Sequence, residues 1–320
     1  MKTKIKIHRI LPSRLKKNDV LGLVTPSSSI TAGQLKDTAE KLKGLGYRVY
    51  YKHSVLDEYG YFAGRDMDRA TELMHMFSNK EVDAIFCVRG GYGAIRILDL
   101  LDYDVIRQNP KLLMGYSDIT ALHTAIYQET GLVSFHSPLG VSDFNRFAMN
   151  AFHNVIVEPK DNFKFTYLRE EKTEDNPEFD LYTIRPGKAE GILAGGNISV
   201  LDSMIGTRFE PDFEDKIVYL EEIEEKTYKV DKMLFHLLSA TNLKQAAGIV
   251  LGVLKDCNVN DEPRISLRQA LEDLLKPLGI PVSYGLSFGH IDYKITIPFG
   301  IRGRMNTEDN SLELLEKAVL

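Results

Sequence analysis

Residues 84–93 read Ala84-Ile85-Phe86-Cys87-Val88-Arg89-Gly90-Gly91-Tyr92-Gly93. Five apolar residues followed by a glycine-rich break is the pattern of a strand buried on both faces that ends in a tight loop. The same pattern recurs on either side. Leu21–Val24 runs into Pro26-Ser27-Ser28-Ser29, Tyr47–Tyr50 is a second short run, Leu112–Met114 runs into Gly115-Tyr116-Ser117-Asp118, and Leu132–Phe135 is another. Between these runs, apolar residues recur at helical spacing: Leu35, Ala39 and Leu42; Met67, Ala70, Met74 and Phe77; Leu122, Ala125 and Ile126. Strands alternating with helices predict a parallel sheet covered on both faces.

The second half is mixed. Gly191–Leu193, Ile217–Leu220 and Ala247–Leu254 read as strands. Val230, Met233, Leu234, Leu237 and Leu238 mark one helix; Leu267, Ala270, Leu271, Leu274 and Leu275 mark another. Gly285–His290 reads as a glycine-punctuated loop, with closing strands expected at Lys294–Pro298 and Ser311–Glu316. The stretch 156–187 is rich in Glu, Asp, Lys and Pro, as in Arg169-Glu170-Glu171-Lys172, and predicts an exposed connection. The expected fold class is α/β. An N-terminal parallel-sheet domain (Rossmann or flavodoxin-like) spans 1–155, 156–187 links, and a smaller mixed α/β C-terminal domain spans 188–320.

Length and composition agree with two globular domains. The chain has 320 residues, 43% hydrophobic and 27% charged, with a formal charge of −5. A chain that binds chiefly through phosphate contacts is usually basic, so no nucleic-acid partner is expected. The two cysteines, Cys87 and Cys257, have no metal-ligand spacing, and no metal or cofactor is expected. Seven of the first seventeen residues are Lys or Arg, but no long apolar run follows them. Neither a signal peptide nor a membrane span is predicted, and cytoplasmic residence is the expectation.

Four places could carry chemistry. Ser117, at a strand-to-helix turn, would stand exposed at the carboxyl end of the sheet, with the Asp118 N–H aimed at a developing oxyanion. The nucleophile-elbow pattern wants Gly two residues later, where Ile119 stands, and a plain helix N-cap is the competing reading. Gly90 and Gly91 could form an anion-binding nest or merely a tight turn. Glu221 and Glu222 end an apolar strand, as catalytic carboxylates or as a solvated edge. His290 lies in a glycine-rich loop, and such loops often deliver functional side chains. A Ser, a Glu and a His in separate segments match nucleophile, orienter and base.

Taken together, Arg89-Gly90-Gly91-Tyr92-Gly93, Gly115-Tyr116-Ser117-Asp118-Ile119-Thr120, His136-Ser137-Pro138, Gly195-Gly196-Asn197, Leu220-Glu221-Glu222 and Gly289-His290 resemble the LD-carboxypeptidase family. The likeness runs in order from about Val20 to Gly300. Ser137, where the family often has Gly, and Glu222, where Asp is common, depart from it. The resemblance implies a Ser117–Glu221–His290 triad, a homodimer, and removal of the terminal D-alanine from a murein tetrapeptide. Asp118, Gly90 and Gly91 would then supply oxyanion donors; the free carboxylate of D-alanine needs a cationic or N–H partner, for which Arg89 is the candidate, with a structural ion pair as the competing reading of Arg89. The family also holds microcin C immunity proteins, which stack a purine on tryptophan. This chain has no Trp, leaving Phe163, Phe165 or Tyr167 for that role. A non-catalytic peptide- or sugar-binding protein is the third expectation.

Overall fold

The computed structural model describes residues 8–168, 177–257 and 265–320. These residues divide into two compact units. Unit 1 comprises the described residues of Met1–Val141, Pro298–Gly300 and Ala318–Leu320; unit 2 comprises those of Ser142–Ile297 and Ile301–Lys317.

In unit 1 the apolar runs become β1 (Val20–Val24), β2 (Arg48–Tyr50), β3 (Ala84–Cys87), β4 (Leu112–Gly115) and β5 (Ser134–His136). They pair in parallel in the order β2-β1-β3-β4-β5. This is the flavodoxin-like order, in which ligands bind beyond the carboxyl ends of β1 and β3, where the strand order reverses. All residues of β1, β3, β4 and β5 are buried, which is why each reads as a continuous apolar run rather than an alternating one. Helix α1 (Ala32–Gly44) begins at a capping box between Thr31 and Gln34.

Helix α2 (Asp66–Ser78) corrects the expected face. Met67 is 59% exposed, whereas Ala70, Leu73, Met76 and Phe77 are buried together with the charged Arg69 and Glu72. Two charged residues on the inner face hid its true phase. Lys111 Nζ donates to the Met76 and Asn79 carbonyls at the end of this helix, and burial lowers its pKa to about 8.

Unit 2 carries a sheet of eight strands. They are β6 (Phe163–Lys164), β7 (Tyr182–Arg185), β8 (Lys188–Asn197), β9 (Lys216–Ile223), β10 (Gly248–Lys255), β11 (Val282–Leu286), β13 (Arg302–Asn306) and β14 (Ser311–Leu314). The order is β6-β14-β13-β8-β9-β10-β11-β7, with β8 to β11 parallel and both flanks antiparallel. Leu234, Leu237, Ile249, Leu251 and Leu271 lie in its fully buried core. The strand β12 (Ile297–Phe299) joins the other sheet, beside β5.

Several expectations change here. The stretch 156–187 supplies two short strands, β6 and β7, at the edges of the second sheet; Arg169-Glu170-Glu171-Lys172 lie outside the described residues. The division into units falls at Val141/Ser142 rather than near 155. The second sheet is the larger one, with eight strands against six. Gly285 is a strand residue, and the loop proper starts after Leu286. Two short segments from the end of the chain return to unit 1, which a linear reading of domains does not foresee. Among the described residues, no helix is long and apolar enough to cross a membrane.

Candidate active site

Ser117 follows β4 at the start of a 3-10 turn (Ser117–Ile119) that feeds helix α3 (Thr120–Thr130). Tyr116 is extended, and Ser117 itself has φ 67. A non-glycine residue in the left-handed region is strained, and such strain gathers where the surrounding structure enforces a function. The N-cap positions of both helical segments, Tyr116 and Ile119, have no side-chain capping bond. Ser117 thus stands one residue inside the N-cap position of its turn, which Tyr116 occupies. It has the backbone of a nucleophile elbow despite Ile119.

Neighbouring groups fix this turn. The side chain of Ile119 fills the space a Cβ on Gly115 would need, 3.0 Å from that position, and Cys87 Cβ is equally close. Burial pushes the Cys87 thiol far up, so it is inert packing. His123 is fully buried between the Gly115 carbonyl, 2.9 Å from Nε2, and Ser134 Oγ, 2.8 Å from Nδ1. Burial lowers its pKa to about 4, so it is neutral and Nε2–H donates to the carbonyl. The Asp118 side chain turns inward, 3% exposed, and Oδ2 accepts the Ala94 N–H at 2.8 Å. Burial raises its pKa, with Ala94 and the Arg69 charge opposing.

The glycine loop lies against this serine. A Cβ on Gly90 would stand 3.0 Å from Ser117 Cβ and 3.2 Å from Oγ, so any larger residue would press on the hydroxyl. The Gly90 carbonyl accepts from Ser28 N, and Tyr92 N donates to Ser28 Oγ, both at 3.2 Å. The loops after β1, β3 and β4 thus meet, as the sheet order requires. Arg89 is exposed, and its Nη1 donates to the Ser29 carbonyl at 2.8 Å.

In unit 2 the other two residues come together. Glu221 lies in β9 opposite Asn197 of β8, and its side chain is fully buried. His290 Nδ1 lies 2.7 Å from Glu221 Oε2, with the imidazole 15% exposed. A carboxylate on Nδ1 favours the tautomer with the proton on that nitrogen, which leaves the lone pair on Nε2. Gly289 has φ 109, and a Cβ there would stand 3.1 Å from Glu221 Cβ and 3.2 Å from Oε2. The His290 loop is further tied by Val253 N donating to the Phe288 carbonyl and Asn145 Nδ2 donating to the Asp292 carbonyl.

Glu222 points the other way, as successive strand residues must. It accepts from Asn197 Nδ2 at 2.9 Å, Ser199 N at 2.8 Å and its neighbour Ile223 N at 3.0 Å. Burial and then the Glu221 charge raise its pKa. It anchors Asn197 at the end of β8 and the first turn of the helix Ile198–Ser203 that follows, a role the sequence left open. Phe165 is 3% exposed, and Tyr167 Oη accepts from Leu312 N at 2.8 Å, so both belong to the packing of the second sheet rather than to an open stacking surface. Among the described residues, no group of three or more His, Cys, Asp or Glu is arranged to hold a metal ion.

Known proteins share this arrangement of sequence. A probable murein peptide carboxypeptidase of Bacillus subtilis is 37% identical over 306 residues, covering 94% of this chain and 92% of its own. The microcin C7 self-immunity protein MccF of Escherichia coli is 25% identical, covering 98% of both chains. The crystal structure of an MccF-like protein from Bacillus anthracis aligns with a TM-score of 0.83 at 29% identity, covering 96% of this chain and 99% of that one. Residues 21–137 match the LD-carboxypeptidase N-terminal domain and residues 190–305 the C-terminal domain, so the chain belongs to the LD-carboxypeptidase family of peptidases.

Proposed function

We propose that the protein is a serine LD-carboxypeptidase that removes the terminal D-alanine from murein tetrapeptides. The observation that carries this is the backbone of Ser117: a side-chain-bearing residue held at φ 67 beyond a buried parallel strand, with Gly90 against its hydroxyl. The short His290–Glu221 contact supports it, as does the murein peptide for which the 37% identical relative is named.

Ser117 Oγ attacks the carbonyl carbon of the diamino acid, and its proton passes to His290 Nε2. Glu221 holds the imidazole and stabilises the imidazolium. The N–H of Asp118, with one from Gly90 or Gly91, stabilises the oxyanion; losing one such donor typically costs about 10²–10³ in rate. The C–N bond breaks as His290 returns the proton to the departing D-alanine amine. Water, deprotonated by the same imidazole, then hydrolyses the acyl-enzyme and frees the tripeptide.

The test compares wild type with Ser117→Ala on murein tetrapeptide and, separately, on an aminoacyl-sulfamoyl adenosine, with products read by mass spectrometry. D-alanine released by wild type alone is the expected result. Cleavage of the adenosine compound alone would transfer the protein to the immunity-type activity, for which the likeness to MccF is the supporting observation. No product from either would favour a binding protein and defeat the proposal.

A further inference from the structure

Arg69 has no assigned role, yet it is a charged side chain inside unit 1, 2% exposed. Burying a guanidinium is costly unless its charge and donors are matched. Its partners are unusual in where they lie. Nη1 donates to the Pro26 carbonyl, in the loop after β1, and to the Gly93 carbonyl, in the loop after β3, at 2.9 Å for the latter. Nη2 donates to the Asp66 carboxylate, which Arg96 also binds, and the Phe62 ring lies 5.0 Å from the Arg69 guanidinium carbon. One residue beyond Gly93, the Ala94 N–H donates to Asp118, whose charge also acts on Arg69. Asp118 is the neighbour of Ser117.

We propose that Arg69 is a positioning residue for the serine reaction: its guanidinium locks the loops after β1 and β3 together and so holds Gly90 and the Asp118 amide in register with Ser117. Gly93 gives independent access to the same contact. Its φ is 128, and a Cβ there would stand 2.9 Å from Arg69 Nη1 and 2.7 Å from Phe62 Cδ1. A methyl group at 93 therefore displaces the guanidinium without touching its charge. A lysine at 69 keeps the charge but loses the fork that reaches two carbonyls at once.

The inference rests on Ser117 being the nucleophile, and the experiment separates the two claims. Wild type, Ser117→Ala, Arg69→Lys, Arg69→Met and Gly93→Ala are each titrated with a fluorophosphonate probe, and kcat and KM on murein tetrapeptide are normalised to the labelled fraction. Positioning predicts that labelling rate and kcat per labelled site fall together by about 10-fold or more, with KM within about threefold. Arg69→Lys should fall between wild type and Arg69→Met. A purely structural role would lower the melting temperature and the labelled fraction but leave kcat per labelled site at the wild-type value, and that result overturns the inference. Should Arg69→Met fail to fold, Arg69→Lys and Gly93→Ala decide. No labelling of wild type, or equal labelling of Ser117→Ala, overturns the nucleophile assignment and this inference with it.

Discussion

Ser117 is aimed by its backbone, through a strained φ at the end of a parallel strand, a glycine against its side chain, and a carbonyl and an amide pinned by buried neighbours. Glu221 and His290 are aimed by each other, through one short contact between a fully buried carboxylate and a loop imidazole. The first arrangement stores its precision in sterics, the second in charge. The two should therefore fail differently. Steric sites respond to added volume and tolerate isosteric changes nearby; charge-defined sites respond to isosteric changes that remove charge.

The strongest way to break the comparison is Glu221→Gln. Volume is kept and charge is lost, and the tautomer of His290 is no longer enforced. The expected loss in kcat is about 10³–10⁴-fold, with little change in melting temperature. A loss below tenfold would mean that Glu221 is not the orienter.

Next come single methyl groups. Gly90→Ala presses on Ser117 and should lower kcat by about 10–100-fold with KM nearly unchanged, measured by steady-state kinetics. Gly289→Ala strains a positive φ and pushes on Glu221, so it should cost a similar factor and also broaden or shift the downfield proton resonance expected for the His290–Glu221 hydrogen bond. If Gly90→Ala leaves kcat intact, the steric account of unit 1 fails.

The smallest effect concerns stability. His123 is held neutral inside unit 1, with its pKa lowered from 6.5 to about 4. On acidification the unfolded chain takes up this proton first, so stability is complete above about pH 6.5 and is lost progressively as pH falls toward 4. At pH 5.5 the loss is about 1 kcal/mol, approaching about 3 kcal/mol below pH 4. Urea unfolding of wild type and His123→Gln at pH 7.5 and 5.5 reads this directly. The His123 contribution should vanish in the variant; an unchanged pH dependence would sink it.

The buried parallel strands were the most legible part of the sequence. Ala84–Val88 and Ala247–Leu254 became β3 and β10 to within about a residue at each end, because a strand covered on both faces has no polar positions to confuse it. Of the flanking strands, β14 was legible as the expected run Ser311–Glu316, but β13 was not. β13 reads Arg302-Gly303-Arg304-Met305-Asn306, poor in apolar residues, and it holds its register partly by Arg302 and Arg304 pairing with Glu190 on β8. Such cross-strand ion pairs have no local signature. The approach of His290 to Glu221 was legible only through the family resemblance and not from the residues themselves, since 69 residues separate them. The choice of Glu221 over Glu222 likewise came from the resemblance; the local pattern did not distinguish them, and the strand shows their side chains with different partners. Arg69 and Glu72 were missed because charged residues are counted outward when a helix face is read.

The return of the chain to unit 1 bears on biosynthesis. The edge of β5 is covered by β12, Phe299 places its ring 5.4 Å from Tyr127, and Leu320 exchanges backbone hydrogen bonds with Pro12 and Arg14. All of these come from residues 297–320. A domain at the front of a chain ordinarily completes itself while the rest is still being translated. Here unit 1 keeps an open sheet edge until residues 297–320 have been added, by which point Ser117, Glu221 and His290 have all been translated, and a chain cut short before them leaves an exposed edge ready to aggregate.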